Sequence, residues 1–148
     1  MSISERIDKD IIQALKAGEK EKLTVLRGLK SDLKYRRISE GKDLTEEQVL
    51  EVLGTAAKKR RESAEQFAAG GRQDLTDKEN SELAIIKSYL PEQMGQAEVR
   101  EIIRAAIVET GADSPQKMGL VMKAVMPMVK GRADGKMIQK LVSELLAN

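Results

Sequence analysis

The chain has 148 residues, no cysteine, histidine or tryptophan, and 26 Lys+Arg against 24 Asp+Glu, for a formal charge of +2. Without cysteine there can be no disulfide, thiol nucleophile or thiolate metal site, which fits a cytoplasmic protein. Without histidine the usual general base and zinc ligand are gone, so an enzyme is less favoured, although carboxylates, lysines and tyrosines remain available.

Ala, Leu, Glu, Lys and Arg dominate and alternating patterns are scarce, so the composition predicts an all-α protein. No run approaches the roughly eighteen apolar residues of a membrane span, and "MSISERIDKD" has no signal core, so neither membrane insertion nor export is expected. Seven helices are predicted, over about 3–17, 20–40, 46–69, 77–90, 96–110, 115–129 and 135–146. Gly18, Gly41, Gly70-Gly71, Gly111 and Gly131 stand where left-handed residues close helices. Leu26, Leu29 and Leu33 stripe the second helix. Val49, Val52, Leu53, Ala56, Ala57, Ala64 and Phe67 stripe the third. Gly28 and Gly54 interrupt these two helices, which suggests close approach of their backbones. Thr45 with Gln48 forms a capping box, and Leu44 with Val49 a hydrophobic staple. Thr76 with Glu79 predicts a second capping box at the start of the fourth helix.

"YLPEQMGQ" reads as a boundary, because Pro91 lacks the amide a helix needs and restricts Leu90. It divides an N-terminal four-helix domain with a long helical hairpin, residues 1–92, from a C-terminal three-helix bundle, residues 93–148. In the second part Val99, Ile102, Ile103, Ala106 and Ile107 stripe the fifth helix, and Ser114-Pro115 begins the sixth. On the sixth, Met118, Val121, Met122, Val125, Met126 and Val129 share one face. Core packing is the favoured reading of that face, a groove for a partner helix the other. Leu120 falls on the outer face. Pro127 requires either a kink or a tighter last turn. Asp134 caps the last helix, which packs through Met137, Ile138, Leu141, Val142 and Leu145.

Charge is uneven along the chain. Residues 1–95 balance at 18 bases and 18 acids, whereas residues 96–148 hold 8 bases and 6 acids. Between Lys117 and Lys140 lie six bases and one acid, Asp134. A helix-to-helix turn explains Gly131 and Asp134. It does not require Lys123, Lys130, Arg132, Lys136 and Lys140 all to be basic, so these are the first candidates for phosphate contact. The run Lys58, Lys59, Arg60 and Arg61 is the second set, weighed against an ordinary solvated helix face. A hairpin of the second and third helices would bring Arg27 and Lys30 near Lys58. No catalytic constellation, phosphate-binding Gly-rich loop or metal site is visible, and no cofactor is expected.

The stretches "KLTVLRGLKSDLK", "YLPEQM" and "MGLVMKAVMPMVKGRADG" resemble the standalone YqeY family over essentially the whole chain. That family is similar to the tail of the B subunit of the glutamine-dependent amidotransferase that converts misacylated Glu-tRNA or Asp-tRNA. The resemblance implies a two-domain helical fold, four helices then three, and kinship with a module that contacts tRNA. Pro91, Gly119, Pro127, Gly131 and Asp134 are the structural positions it marks. Pro127 belongs to the standalone form more than to the tail. The amidotransferase chemistry resides outside the tail, so a carbon–nitrogen ligase label with glutamine as amido-nitrogen donor would come by association only. The expectation is a non-catalytic module that binds tRNA or another structured RNA, or joins an amidotransferase-like assembly. The rival expectation is a protein-interaction adaptor using the Met-rich small domain or the interdomain cleft.

Overall fold

The computed structural model describes residues 1–147. Among them it is all-α, with seven α-helices and no strand. They are α1 (Ile3–Ala17), α2 (Lys20–Glu40), α3 (Glu46–Ala69), α4 (Gln73–Lys87), α5 (Gln96–Thr110), α6 (Met118–Val129) and α7 (Gly135–Ala147), with a 3₁₀ turn at Pro115–Lys117 leading into α6. By contact the chain forms two compact units, Met1–Leu90 and Pro91–Asn148.

In the first unit α1 packs on α2 and α3 on α4. Ser2 and Glu5 form a capping box at α1 that sequence reading passed over, with Glu5 N donating to Ser2 Oγ at 3.1 Å. Thr45 and Gln48 form the expected box at α3: Gln48 N donates to Thr45 Oγ1 at 3.1 Å, and Thr45 N to Gln48 Oε1 at 3.0 Å. Leu26, Leu29, Leu33, Val49 and Leu53 are buried together with Ile7, Leu83, Ile86 and Tyr89, and Leu44 packs on the same cluster.

Three local expectations fail here. Gly28 and Gly54 mark no close approach: a methyl group built on either would meet nothing within 4 Å. α4 starts at Gln73, four residues before the predicted start at 77 and its Thr76 cap. The reason lies in the preceding turn. Gly71, at φ +73°, closes α3 with Arg72 N bonded to Phe67 O at 2.8 Å, so the chain re-enters a helix at once. Thr76 is then inside α4 and buried, and its hydroxyl donates back to Arg72 O at 2.9 Å instead of capping. α4 also ends at Lys87, before the predicted 90. Tyr89 and Leu90 continue in tighter bonding, to Ile86 O at 3.0 Å and Lys87 O at 3.1 Å.

In the second unit α5 packs on α6 and α7. Val99, Ile103, Val121, Val125, Val129, Ile138 and Val142 are wholly buried, and Met118, Met122, Met126 and Met137 pack against them half-buried. The methionines on the valine side of α6 therefore serve the core. α6 passes through Pro127, which sits in its last turn on the exposed side and has no amide to offer the Lys123 carbonyl. Ser114 precedes Pro115 in extended conformation, but its side chain makes no capping bond. Asp134 does cap α7: its Oδ1 accepts from Lys136 N at 3.3 Å.

Candidate nucleic-acid interface

The turn from α6 to α7 positions the first set of basic residues. Lys130 ends α6 in extended conformation, Gly131 takes φ +77°, and Arg132 N donates to Val129 O at 2.9 Å. The segment after Pro91 is tied to this turn. Met94 N donates to Arg132 O at 2.7 Å, and Gln93 Nε2 donates to Gly131 O at 3.1 Å. Arg132 Nε returns a bond to Glu92 O at 3.2 Å. "PEQM" and "KGRAD", about 40 residues apart in sequence, are thus one hydrogen-bonded structure, a pairing no local pattern reveals.

That structure sorts the candidates. Arg132 is half-buried and holds a backbone carbonyl with one of its five donors, so part of its role is structural. Lys123, Lys136 and Lys140 are exposed. Lys136 and Lys140 stand one turn apart on α7. Lys123 and Lys130, seven residues apart, share the outer side of α6 with Pro127. Lys117 is drawn away to Asp113, 2.8 Å distant, and that hydrogen bond holds the Asp113 carboxyl below its ordinary value. Gly119 lies exposed at the start of α6, with open space where a Cβ would stand.

The run at 58–61 is less coherent. Four successive residues turn through roughly 300° of a helix, so they cannot share one face. Lys59 is exposed, while Lys58, Arg60 and Arg61 are half-buried. Arg60 Nε lies 3.4 Å from Glu82 Oε2 of α4, out of line for a good hydrogen bond, and its Nη1 donates to Ala56 O at 3.3 Å. Lys30 turns instead to Asp8 of α1 at 2.8 Å. The two sets of bases are engaged by different neighbouring helices.

Two features escaped sequence reading. Arg6 and Asp10, one turn apart on α1, grip Tyr89. Tyr89 OH donates to Asp10 Oδ2, and the Arg6 guanidinium lies over its ring at 5.1 Å from the centroid. Burial first, then the bond to Asp10, pushes the Tyr89 hydroxyl well above its ordinary value. The other feature is the outer face of α2, where Lys20, Arg27, Lys30, Lys34 and Arg37 are all exposed. A helical projection of 20–40 would have exposed that stripe, of which only Arg27 and Lys30 drew notice. Among the described residues, no group of three or more carboxylates is placed to hold a metal ion. No helix of the described chain is long and apolar enough to cross a membrane.

The profile of the family described as Yqey-like protein matches residues 4–146. The chain belongs to the YqeY family. Its relatives in that family include "Altered inheritance of mitochondria protein 41, mitochondrial" of Pyrenophora tritici-repentis, to which it is 25% identical over 144 residues, 95% of this chain and 79% of that protein. The protein of the same name in Lachancea thermotolerans is 36% identical over 85 residues, 57% of this chain and 46% of that protein. That of Saccharomyces cerevisiae is 32% identical over 82 residues, 55% and 44% of the two chains. The yeast matches thus span less than half of those relatives' length. As a member of the YqeY family, the chain is a helical accessory module of that family.

Proposed function

We propose that this YqeY-family chain is a non-catalytic module that binds structured RNA, with tRNA as the first candidate, in the setting of an amidotransferase-like assembly. One observation carries the reading. Lys123, Lys136 and Lys140 stand exposed around a turn, and the one acid between Lys117 and Lys140, Asp134, is occupied in capping α7. A helix connection needs the glycine and the cap but not the lysines. The family's similarity to a tRNA amidotransferase tail supports tRNA as the ligand. Phosphate contact supplies affinity without base readout, and the C-terminal unit has no aromatic side chain for stacking. Lys130 and Arg132 join the contact from within the turn, and Lys58, Lys59, Arg60 and Arg61 are the second set. Non-catalytic action rests on the missing histidine and cysteine. The same lack of cysteine supports a reducing compartment, and we place the chain in the cytoplasm. We also propose that the two units are independent domains.

The test is tRNA binding followed over a range of salt. K123Q/K136Q/K140Q should weaken binding and flatten the salt dependence by about 2–3 units of log–log slope. These exposed positions should leave helicity unchanged, whereas R132Q also removes the bond to Glu92 O. Purified protein should release no ammonia from glutamine. Unchanged affinity and slope in the lysine variant would remove this surface from the proposal. A second reading has its own observation: Leu120 and Met128 of α6 are 54% and 57% exposed, as an adaptor would need. Loss of a protein partner in L120D, with RNA binding intact, would favour it.

A further inference from the structure

One flank of the exposed side of α2 carries charge of one sign only. At 100° per residue, Lys20, Arg27, Lys30, Lys34 and Arg37 fall within an arc of roughly 100°. Of the acids of this helix, Glu21 and Asp32 are exposed on the opposite flank, and Val25, Leu26, Leu29 and Leu33 face the core. From Arg27 to Arg37 the stripe runs for about 15 Å, a length over which one strand of a duplex presents about four phosphates. Neighbouring elements neutralise it only in part. Asp8 pairs with Lys30, but both side chains are more than half exposed. Asp43 stands with Lys34 and Arg37 along a groove of about 340 Å³ whose floor is Ile7, Leu33 and Leu44.

The exposed side of the helix also bears Ile38, 64% exposed and in line with the stripe, and Tyr35, 71% exposed and about 80–100° round from Arg27 and Lys34. Of the three aromatic side chains, Phe67 is half-buried and Tyr89 buried, so Tyr35 is the one open to a flat ligand. A basic stripe with an exposed tyrosine about a quarter-turn round the helix is a combination that single-stranded and looped RNA engages, backbone on the bases and a nucleobase on the ring. Protein interfaces are depleted of lysine, and three of these five bases are lysines.

We propose that the outer face of α2 is a second RNA-contacting surface, on which Arg27, Lys34 and Arg37 hold phosphates and Tyr35 stacks on an unpaired base. This rests on the RNA-binding reading above but concerns a different unit of the chain. Lys20 and Lys30 extend the contact at the flanks.

Fluorescence anisotropy with labelled tRNA, from about 50 to 200 mM salt, compares intact protein with R27Q/K34Q/R37Q, Y35A and K123Q/K136Q/K140Q, with helicity checked by circular dichroism. The α2 triple variant should flatten the log–log slope by about 2–3 units. Y35A should weaken binding by roughly 5- to 100-fold and keep the slope. In intact protein, tRNA should slow acetylation of Lys20 and Lys34, a readout independent of any variant's folding. If the α2 variants and the acetylation pattern show no change while K123Q/K136Q/K140Q loses binding, this surface is overturned and the RNA reading stands. If intact protein fails to bind tRNA at low salt, both fall. If poly-glutamate competes as well as RNA of equal charge and Y35A is silent, the face serves an acidic protein and the RNA assignment is overturned.

Discussion

Tyr89 is held from three sides by burial, the Asp10 carboxylate and the Arg6 guanidinium, with Arg6 Nη2 also reaching Ser88 O at 3.4 Å. A hydrogen bond to a charged acceptor is worth about 1.5–3 kcal/mol, so Y89F should lose about that much stability at pH 7. The pH dependence follows from the raised value of the folded hydroxyl. An unfolded tyrosine releases its proton near pH 10, as the folded one does not. The contribution is therefore complete below about pH 10 and declines as pH rises further through the folded value. Urea titrations from pH 7 to 11 should show the gap between native protein and Y89F narrowing above pH 10. A gap constant with pH would mean that the hydroxyl adds nothing beyond packing. None of this was legible at the level of single residues, because Arg6 and Asp10 read as an ordinary charged pair of an amphipathic helix until the turn after α4 brings Tyr89 against α1.

For helices, glycine separates two kinds of position that look alike in sequence. Gly131 needs its left-handed backbone, at φ +77°, to turn α6 into α7. Gly28 and Gly54 have helical backbone and open space around the Cβ position. G131A should therefore cost about 1–2 kcal/mol. G28A and G54A should each stabilise the first unit by about 0.5–1 kcal/mol, through helix propensity and a less flexible unfolded chain. Thermal unfolding of the three variants checks the signs. Destabilisation by G28A or G54A would restore the reading that their helices approach closely. Glycine stops and the Thr45 capping box were legible because each is a local chemical need satisfied within a few residues. The start of α4 was not. Thr76 offers the same hydroxyl as Thr45, and only the short turn at Gly71 decides that it lies inside a helix.

At the scale of the molecule, the described residues form two buried clusters, one around Leu26 and Leu53 and one around Val125 and Ile138. If the units are independent domains, heating should produce two transitions. Leu53→Ala should lower only the first unit's stability and Ile138→Ala only the second's, each by about 2–5 kcal/mol. In domains of this size that corresponds to at least 8 °C of shift in the affected transition. Calorimetry of both variants checks this, and one shared transition moved by either substitution would refute independence.

The sequence by itself determined the helical class, nearly all helix limits, the core stripes and the glycine stops. These depend on periodicity and on short-range hydrogen bonding, which neighbouring residues settle among themselves. It also placed the lysines around the α6–α7 turn, since Lys123 and Lys130 are seven residues apart and Lys136 and Lys140 four. Only the tertiary structure decided which bases are committed. Arg60 faces Glu82, Lys30 faces Asp8 and Arg132 holds Glu92 O because packing brings distant residues within reach. The tertiary structure likewise joined "PEQM" to "KGRAD" through backbone bonds that carry no side-chain signature, and so no mark in the sequence.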